Sequence, residues 1–218
     1  MRMLKLAALA SAVAMASPAF AVDFLYNPTP GTDITIPGTG TSGPATPFPV
    51  TFTVAGLGTV LDVNLTILGL THSYAEDLRI WLESPTGTIV ELLDNAGGDD
   101  AFRNNDITFD QDVANTIPNS SLSVANGVSY SFKPSSYSPP SGSSLDDFNG
   151  ESANGVWKLF VYDDDSRDTG YAAGAKLSIT TTAGAVPEPA TWGMLLAGFA
   201  VVGSAMRRRA RRTSVSFV

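Results

Sequence analysis

The chain has 218 residues, a formal net charge of −8 and no cysteine. The absence of cysteine excludes disulfides, thiol catalysis and cysteine metal centres, so the domain must hold together by core burial, alone or with a bound metal. Charge is unevenly spread. Residues 22–186 carry six basic and twenty acidic side chains, a net −14, which repels nucleic acid and anionic lipid and at its simplest secures solubility.

At the start of the chain, Arg2 and Lys5 flank an apolar stretch over residues 6–16, and Ala19-Phe20-Ala21 follows with small residues at Ala19 and Ala21. A positive start, a short apolar run and a small-residue site are the parts of a secretory signal peptide. The expectation is a signal over 1–21, cut after Ala21, and an N-terminal extension over 22–32. The stretch 22–49 is rich in Gly, Pro and Thr, which predicts loop and edge strand rather than helix.

Short alternating runs come next. Phe52 and Val54 alternate with threonines. Leu61, Val63, Leu65 and Ile67 alternate with polar residues, and Leu78, Ile80 and Leu82 alternate with Arg79, Trp81 and Glu83. Ser84-Pro85-Thr86-Gly87 predicts a hairpin turn, because Pro presets φ and Gly permits positive φ. Residues 110–144 are polar and rich in Ser, Asn and Pro, with a strand signal only over 128–132, and read as a long ordered loop or crossover. Beyond them Trp157, Leu159 and Val161 alternate with Lys158, Phe160 and Tyr162, and Leu177 and Ile179 mark a last strand. Period-two patterning broken by Gly, Pro, Asn and Asp, with no sustained helical period, predicts an all-β, antiparallel β-sandwich over residues 33–182.

The segment 183–218 is of another kind. Val186-Pro187-Glu188-Pro189 is followed by an uncharged run over 190–206 and by Arg207, Arg208, Arg209, Arg211 and Arg212. As a helix the run spans roughly 25 Å at about 1.5 Å per residue. That is short for a bilayer core of about 30 Å, though terminal arginines can snorkel. The expectation is a single transmembrane helix with a cytoplasmic C-terminus, set by the positive charge, and with the acidic domain outside the inner membrane. This tail resembles the PEP-CTERM sorting signal of Gram-negative bacteria. The resemblance implies recognition by a membrane-embedded exosortase, removal of the helix, and delivery to the cell surface or to a matrix rich in exopolysaccharide.

Two internal segments carry a second resemblance. THSYAEDLRIWLESPTGTIVELL (71–93) and FNGESANGVWKLFVYDDDSRDTGYAAGAKLSI (148–179) are similar to the signature of the P domain, or P/Homo B domain, of proprotein convertases and bacterial subtilisin-like proteases. The matching positions include His72, Tyr74, Asp77, Ser84, Pro85, Gly87, Phe148, Gly150, Asn154, Gly155, Trp157, Asp163, Asp168 and Gly170. Glu76 stands where the family commonly has Gly, and Ala175 where a Trp is common. The resemblance implies a jelly-roll-like sandwich. In that family the domain usually sits beside a protease domain and stabilises it. This chain has no room for one, and fold does not carry activity with it.

Candidate chemistry follows from few residues. A serine triad needs a histidine base, and His72, the only histidine, is expected to be a structural, hydrogen-bonded residue. Ser141-Gly142-Ser143-Ser144 has the composition of a flexible linker rather than a nucleophile elbow. Among twenty acids, a glycosidase-like pair would arise by chance. Asp163, Asp165 and Asp168, with Asp77, are a candidate set of hard oxygen ligands for calcium. The spacing is not that of an EF-hand, and Asp163 and Asp168 serve equally well as turn caps. Asp99 with Asp100, and Asp110 with Asp112, form further acidic pairs. Trp81 is out of phase with the apolar residues of its strand and is expected at the core or its rim.

The reading is therefore an exported, exosortase-processed surface or extracellular-matrix protein with no enzymatic activity. Its P domain-like module would bind or support exopolysaccharide or another surface protein. The alternatives are a calcium-dependent carbohydrate- or protein-binding adhesin, and an accessory domain for a separate secreted protease.

Overall fold

The computed structural model describes residues 19–26, 33–138, 143–182 and 189–210. Met1 to Pro18 of the expected signal, the linker residues Ser141 and Gly142, and Val186, Pro187, Glu188, Arg211 and Arg212 of the tail lie outside the described residues. The chain divides into two compact units, residues 1–184 and 185–218.

The first unit is a two-sheet sandwich. Its strands are β1 (Ala19–Tyr26), β2 (Ile34–Ile36), β3 (Gly43–Pro44), β4 (Val50–Val54), β5 (Val60–His72), β6 (Leu78–Glu83), β7 (Ile89–Asp94), β8 (Phe102–Phe109), β9 (Tyr130–Phe132), β10 (Ser135–Ser136), β11 (Gly155–Asp163), β12 (Gly170–Ala172) and β13 (Gly174–Thr182). The first sheet is built on β5, with β13 and then β12 along one side and β8 along the other. Outside these lie β1 on β13, β2 on β12 and β9 on β8. The second sheet runs β10-β7-β6-β11, with β3 and β4 sharing the far side of β11.

Alternation along the strands fills the space between the sheets. Phe52, Val54, Ile80, Leu82, Trp157 and Leu159 from the second sheet, and Val63, Leu65, Ile107, Phe109, Leu177 and Ile179 from the first, belong to one buried core. Trp157 is fully enclosed, and its Nε1–H donates to the Ala153 carbonyl at 2.9 Å. The ring of Phe148 meets it edge-on at 5.0 Å. Phe148 comes from a single 3-10 turn, Leu145–Phe148, held by a capping box between Ser144 and Asp147. The turn at Ser84–Gly87 forms as the sequence predicts: the Gly87 N–H donates to the Ser84 carbonyl at 3.0 Å, with Gly87 at φ +92°.

Two expectations need correction. The sheets are mixed rather than wholly antiparallel, because β9 runs parallel to β8 and β10 parallel to β7. The crossover after β8 is long enough to return the chain in its original direction, which a tight hairpin cannot do. Leu61 does not face the core. A bulge opposite Thr180 and Thr181 shifts the register, so Val60 and Val63 are both buried while Leu61 is 44% exposed.

The long segment before β9 is ordered by specific anchors. The Leu122 N–H donates to Asp100 Oδ2 at 2.7 Å, and Asn105 Nδ2 donates to the Ala125 and Val128 carbonyls at 2.7 and 2.9 Å. The Tyr137 hydroxyl donates to the Ile117 carbonyl at 3.0 Å. Ile117 and Leu122 are buried beneath these contacts.

The second unit is the helix α1 (Pro189–Ala210). Its described side chains Leu196, Phe199, Val201, Val202 and Met206 are exposed. Among the described residues no helix is long and apolar enough to cross a membrane.

Candidate functional site

The residues with the most unusual surroundings gather at one corner, where the end of β5 in the first sheet approaches the end of β11 in the second. His72 closes β5 and Asp163 closes β11. Both are fully buried, and His72 Nε2 lies 3.3 Å from Asp163 Oδ2. Nδ1 of the same ring lies 2.7 Å from the Tyr74 carbonyl oxygen, where it can only donate. Burial raises the Asp163 carboxyl above its ordinary value, and the hydrogen bond with His72 opposes this. Asp163 Oδ1 is buried without a hydrogen-bond partner.

Gly170 makes this approach possible. It opens β12 directly opposite His72, and a Cβ there would sit 2.2 Å from the Thr71 carbonyl oxygen and 2.6 Å from His72 Cδ2. Only a residue without a side chain lets the strands close here. Ser73 Oγ donates to Asp168 Oδ1 at 2.6 Å, and the Asp164 N–H donates to the Asp77 carbonyl at 2.9 Å. The turn after His72 and the turn after Asp163 are thus tied together by both backbone and side chain.

Outside this buried pair is a polar notch of about 260 Å³ lined by Tyr74, Glu76, Asp77, Asp165, Ser166, Arg167 and Asp168. Arg167 has φ +99°, a conformation that costs a non-glycine residue energy. Asp77 is almost buried, and its carboxyl is pushed up to about 6, first by burial and then by Asp168, Asp165, Asp163 and Asp164.

Of the four acids expected to form a metal set, Asp77, Asp165 and Asp168 line the notch, while Asp163 is turned inward to His72. Among the described residues no group of three or more His, Asp or Glu side chains is placed to hold a metal ion. The other acidic pairs have local roles: Asp110 Oδ1 accepts from the Asp112 N–H at 2.8 Å, and Asp100 holds Leu122. Glu151 accepts from the hydroxyls of Thr86 and Thr88. Burial alone would raise its carboxyl, but hydrogen bonds from Thr86, Thr88 and Ser84 outweigh it and hold the group below its ordinary value.

A second feature lies on the outer face of the second sheet. Trp81 and Phe160, cross-strand partners on β6 and β11, stack at 5.0 Å with planes 6° apart. Phe48 contacts both edge-on, at 5.9 and 5.1 Å. The Arg79 guanidinium lies 5.7 Å from the Trp81 ring and donates to Glu91 Oε1 through Nη2 at 2.5 Å. Trp81, expected at the core or its rim, is half-buried in this outer-face stack. The stack itself needed the β6–β11 register, which no local pattern encodes.

Comparison with known proteins agrees with this geometry. The profile of the proprotein convertase P-domain matches residues 61–179. The chain belongs to the proprotein convertase P-domain family. His72, Tyr74, Asp77, Asp163, Asp168 and Gly170, from both signature segments of this P domain, all meet at the corner just described. The PEP-CTERM protein-sorting motif matches residues 185–212. That motif marks the chain for export and for processing at the membrane by an exosortase, as in Gram-negative bacteria. Similar solved structures include a serine protease of Aeromonas sobria, at 18% identity and TM-score 0.44, over 75% of this chain and 27% of that one. The Aeromonas sobria serine protease in complex with its chaperone is similar at 18% identity and TM-score 0.44, over 77% of this chain and 28% of that one. No curated protein matches the chain.

Two outcomes test the corner. In denaturant unfolding, His72→Leu leaves Asp163 buried without its partner and costs about 3–5 kcal/mol, whereas His72→Leu with Asp163→Leu recovers most of that loss. Asp77 gives a pH dependence of defined sign. The folded state holds its proton to about pH 6, whereas an ordinary aspartate releases it near 3.8. Folding therefore takes up a proton between these values, and stability falls as pH rises through that window. At pH 7.5, Asp77→Asn raises the melting temperature by about 2–4 °C for roughly 1 kcal/mol of relieved repulsion. Thermal melts from pH 4.5 to 7.5 should also show a flatter profile for the variant.

Proposed function

We propose that this protein is a non-catalytic P domain displayed outside the cell: exported through its N-terminal signal, held at the inner membrane by the C-terminal helix, and released by an exosortase to the cell surface or an exopolysaccharide-rich matrix. The observation that carries this reading is the direct linkage of a P-domain sandwich to a PEP-CTERM motif. The absence of catalysis is supported by the state of the only histidine, whose two ring nitrogens are engaged by Tyr74 and Asp163 below the surface. The short apolar run of α1 suits a helix that is anchored briefly, its arginines snorkelling at the cytoplasmic side, and then removed.

In cells, replacing Val186, Pro187, Glu188 and Pro189 by alanine, or inactivating the exosortase, should leave a larger, membrane-associated form in place of the released one. Fractionation with immunoblotting reads the result. Unchanged size and location would overturn the reading.

A second reading, calcium-dependent binding of carbohydrate or protein, is favoured by the repulsion focused on Asp77 at the notch. A divalent cation would offset that repulsion at Asp77, Asp165 and Asp168. Melting temperatures of the P domain in calcium and in chelator decide it. A calcium-induced rise that Asp77→Asn abolishes supports the reading, and equal values remove it.

A further inference from the structure

Trp81, Phe160 and Phe48 cluster on the outer face of the second sheet, where alternation in a sandwich ordinarily puts polar side chains. The first sheet shows the contrast. There Asp23, Ser178 and Asn64 lie side by side, with Lys176, Thr66 and Thr108 in the next row. Cross-strand packing accounts for the stack of Trp81 on Phe160. It does not account for Phe48, which comes from the loop between β3 and β4 and remains 41% exposed.

The three ring centroids form a triangle with sides of 5.0, 5.1 and 5.9 Å, so Phe48 lies along the rims of both stacked rings rather than on the face of one. The Arg79 guanidinium, 5.7 Å from the Trp81 ring, adds a further contact. The cluster is thus held in place before any ligand arrives, which lowers the entropy cost of binding. Each neighbouring row on this face carries a charge pair. Two residues along the strands on one side, Lys158 Nζ lies 2.7 Å from Glu83 Oε1. Two residues along on the other, Arg79 is held by Glu91 at 2.5 Å and by Asp94 at 3.7 Å. At about 3.3 Å per residue, these charged rows lie roughly 7 Å from the aromatic row.

We infer that this face binds an uncharged polysaccharide, with sugar rings lying on the cluster of Phe48, Trp81 and Phe160 and hydroxyls bonded to the flanking charge pairs. The inference rests on the reading of the protein as displayed in an exopolysaccharide-rich matrix, and it names the surface that engages that matrix. Charge selects the occupant. Both cations of the strip are already matched by carboxylates, and residues 22–186 carry a net −14, so a polyanion finds no counter-charge and is repelled. A folded protein partner needs about 800 Å² of surface on each side. Here the apolar part is three rings, two of them half-buried. A sugar chain asks for less. Its C–H groups suit the negative face of an aromatic ring. Its hydroxyls both donate and accept, which matches a row of paired cations and carboxylates.

The test uses the full-length chain in a detergent without a sugar headgroup, run through native gels containing a β-glucan, a galactomannan, a xylan or the polyanion alginate. The expected result is retardation by at least one of the three uncharged polysaccharides and none by alginate. Phe48→Ala should weaken that retardation about tenfold in apparent Kd, and Phe48→Tyr, which keeps the ring, should preserve it. Trp81→Leu gives a second loss in a strand that stays apolar. Tyr171→Ala, which removes an exposed ring on the first sheet, should change nothing. Circular dichroism confirms that each variant is folded. Retardation by none of the three, equal retardation by alginate, undiminished binding in folded Phe48→Ala or Trp81→Leu, or an equal loss in Tyr171→Ala would overturn the proposal. A chain that binds a glycan yet is not released in cells fails the sorting reading alone. One that is released yet indifferent to all three glycans fails the binding face alone.

Discussion

The organisation of this protein depends on its first strand pairing with its last. β1 and β13 run antiparallel with Ala19 opposite Thr182, so the chain enters and leaves the sandwich at one end of one sheet edge. The register brings residues 19 and 182 side by side at one end of the sheet.

The corner around His72 has a different task. It joins the two sheets through a buried pair, with the glycine of β12 allowing the close approach and two turns tied across the gap. Burying such a pair contributes little net stability when intact and costs much when half of it is lost. Its value lies in fixing how the sheets meet. Outside it, burial and the repulsion among the notch acids are a cost that the fold tolerates.

Much of the fold could be read from the residues. Alternation placed Trp157, Leu159, Ile80 and Leu82 in the core, and Ser84 to Gly87 in a turn, because period two and positive φ are local properties of the chain. The parts that escaped were non-local. The bulge that turns Leu61 outward is set by what lies across the strand, and the parallel pairing of β9 and β10 by the path of a polar crossover with almost no periodicity. At the corner, the composition pointed to the acids of the loop after β11 and to the only histidine. It did not separate Asp163, which turns inward to His72, from Asp165 and Asp168, which face the notch. That distinction follows from the alternation of β11 carried to its last residue, Asp163, which shares the buried side with Trp157 and Leu159. Of the N-terminal strand, residues 19–21 were expected as the end of the signal and residues 22–26 as extension, loop or edge, since nothing in residues 19–26 names a partner at the far end of the chain.

The natural absence of cysteine makes the central pairing directly measurable. Asp23 and Ser178 face one another on β1 and β13. Opposed residues on antiparallel strands stand about 4.5–5.5 Å apart at Cα, within disulfide reach. Purified protein carrying Asp23→Cys and Ser178→Cys should oxidise to a single intramolecular disulfide, seen by intact mass and by non-reducing gel mobility, while Asp23→Cys with Leu65→Cys, one strand further into the sheet, should not. Failure of the first pair to close, or equal closure of both, would contradict a sandwich whose ends are brought together by its first and last strands.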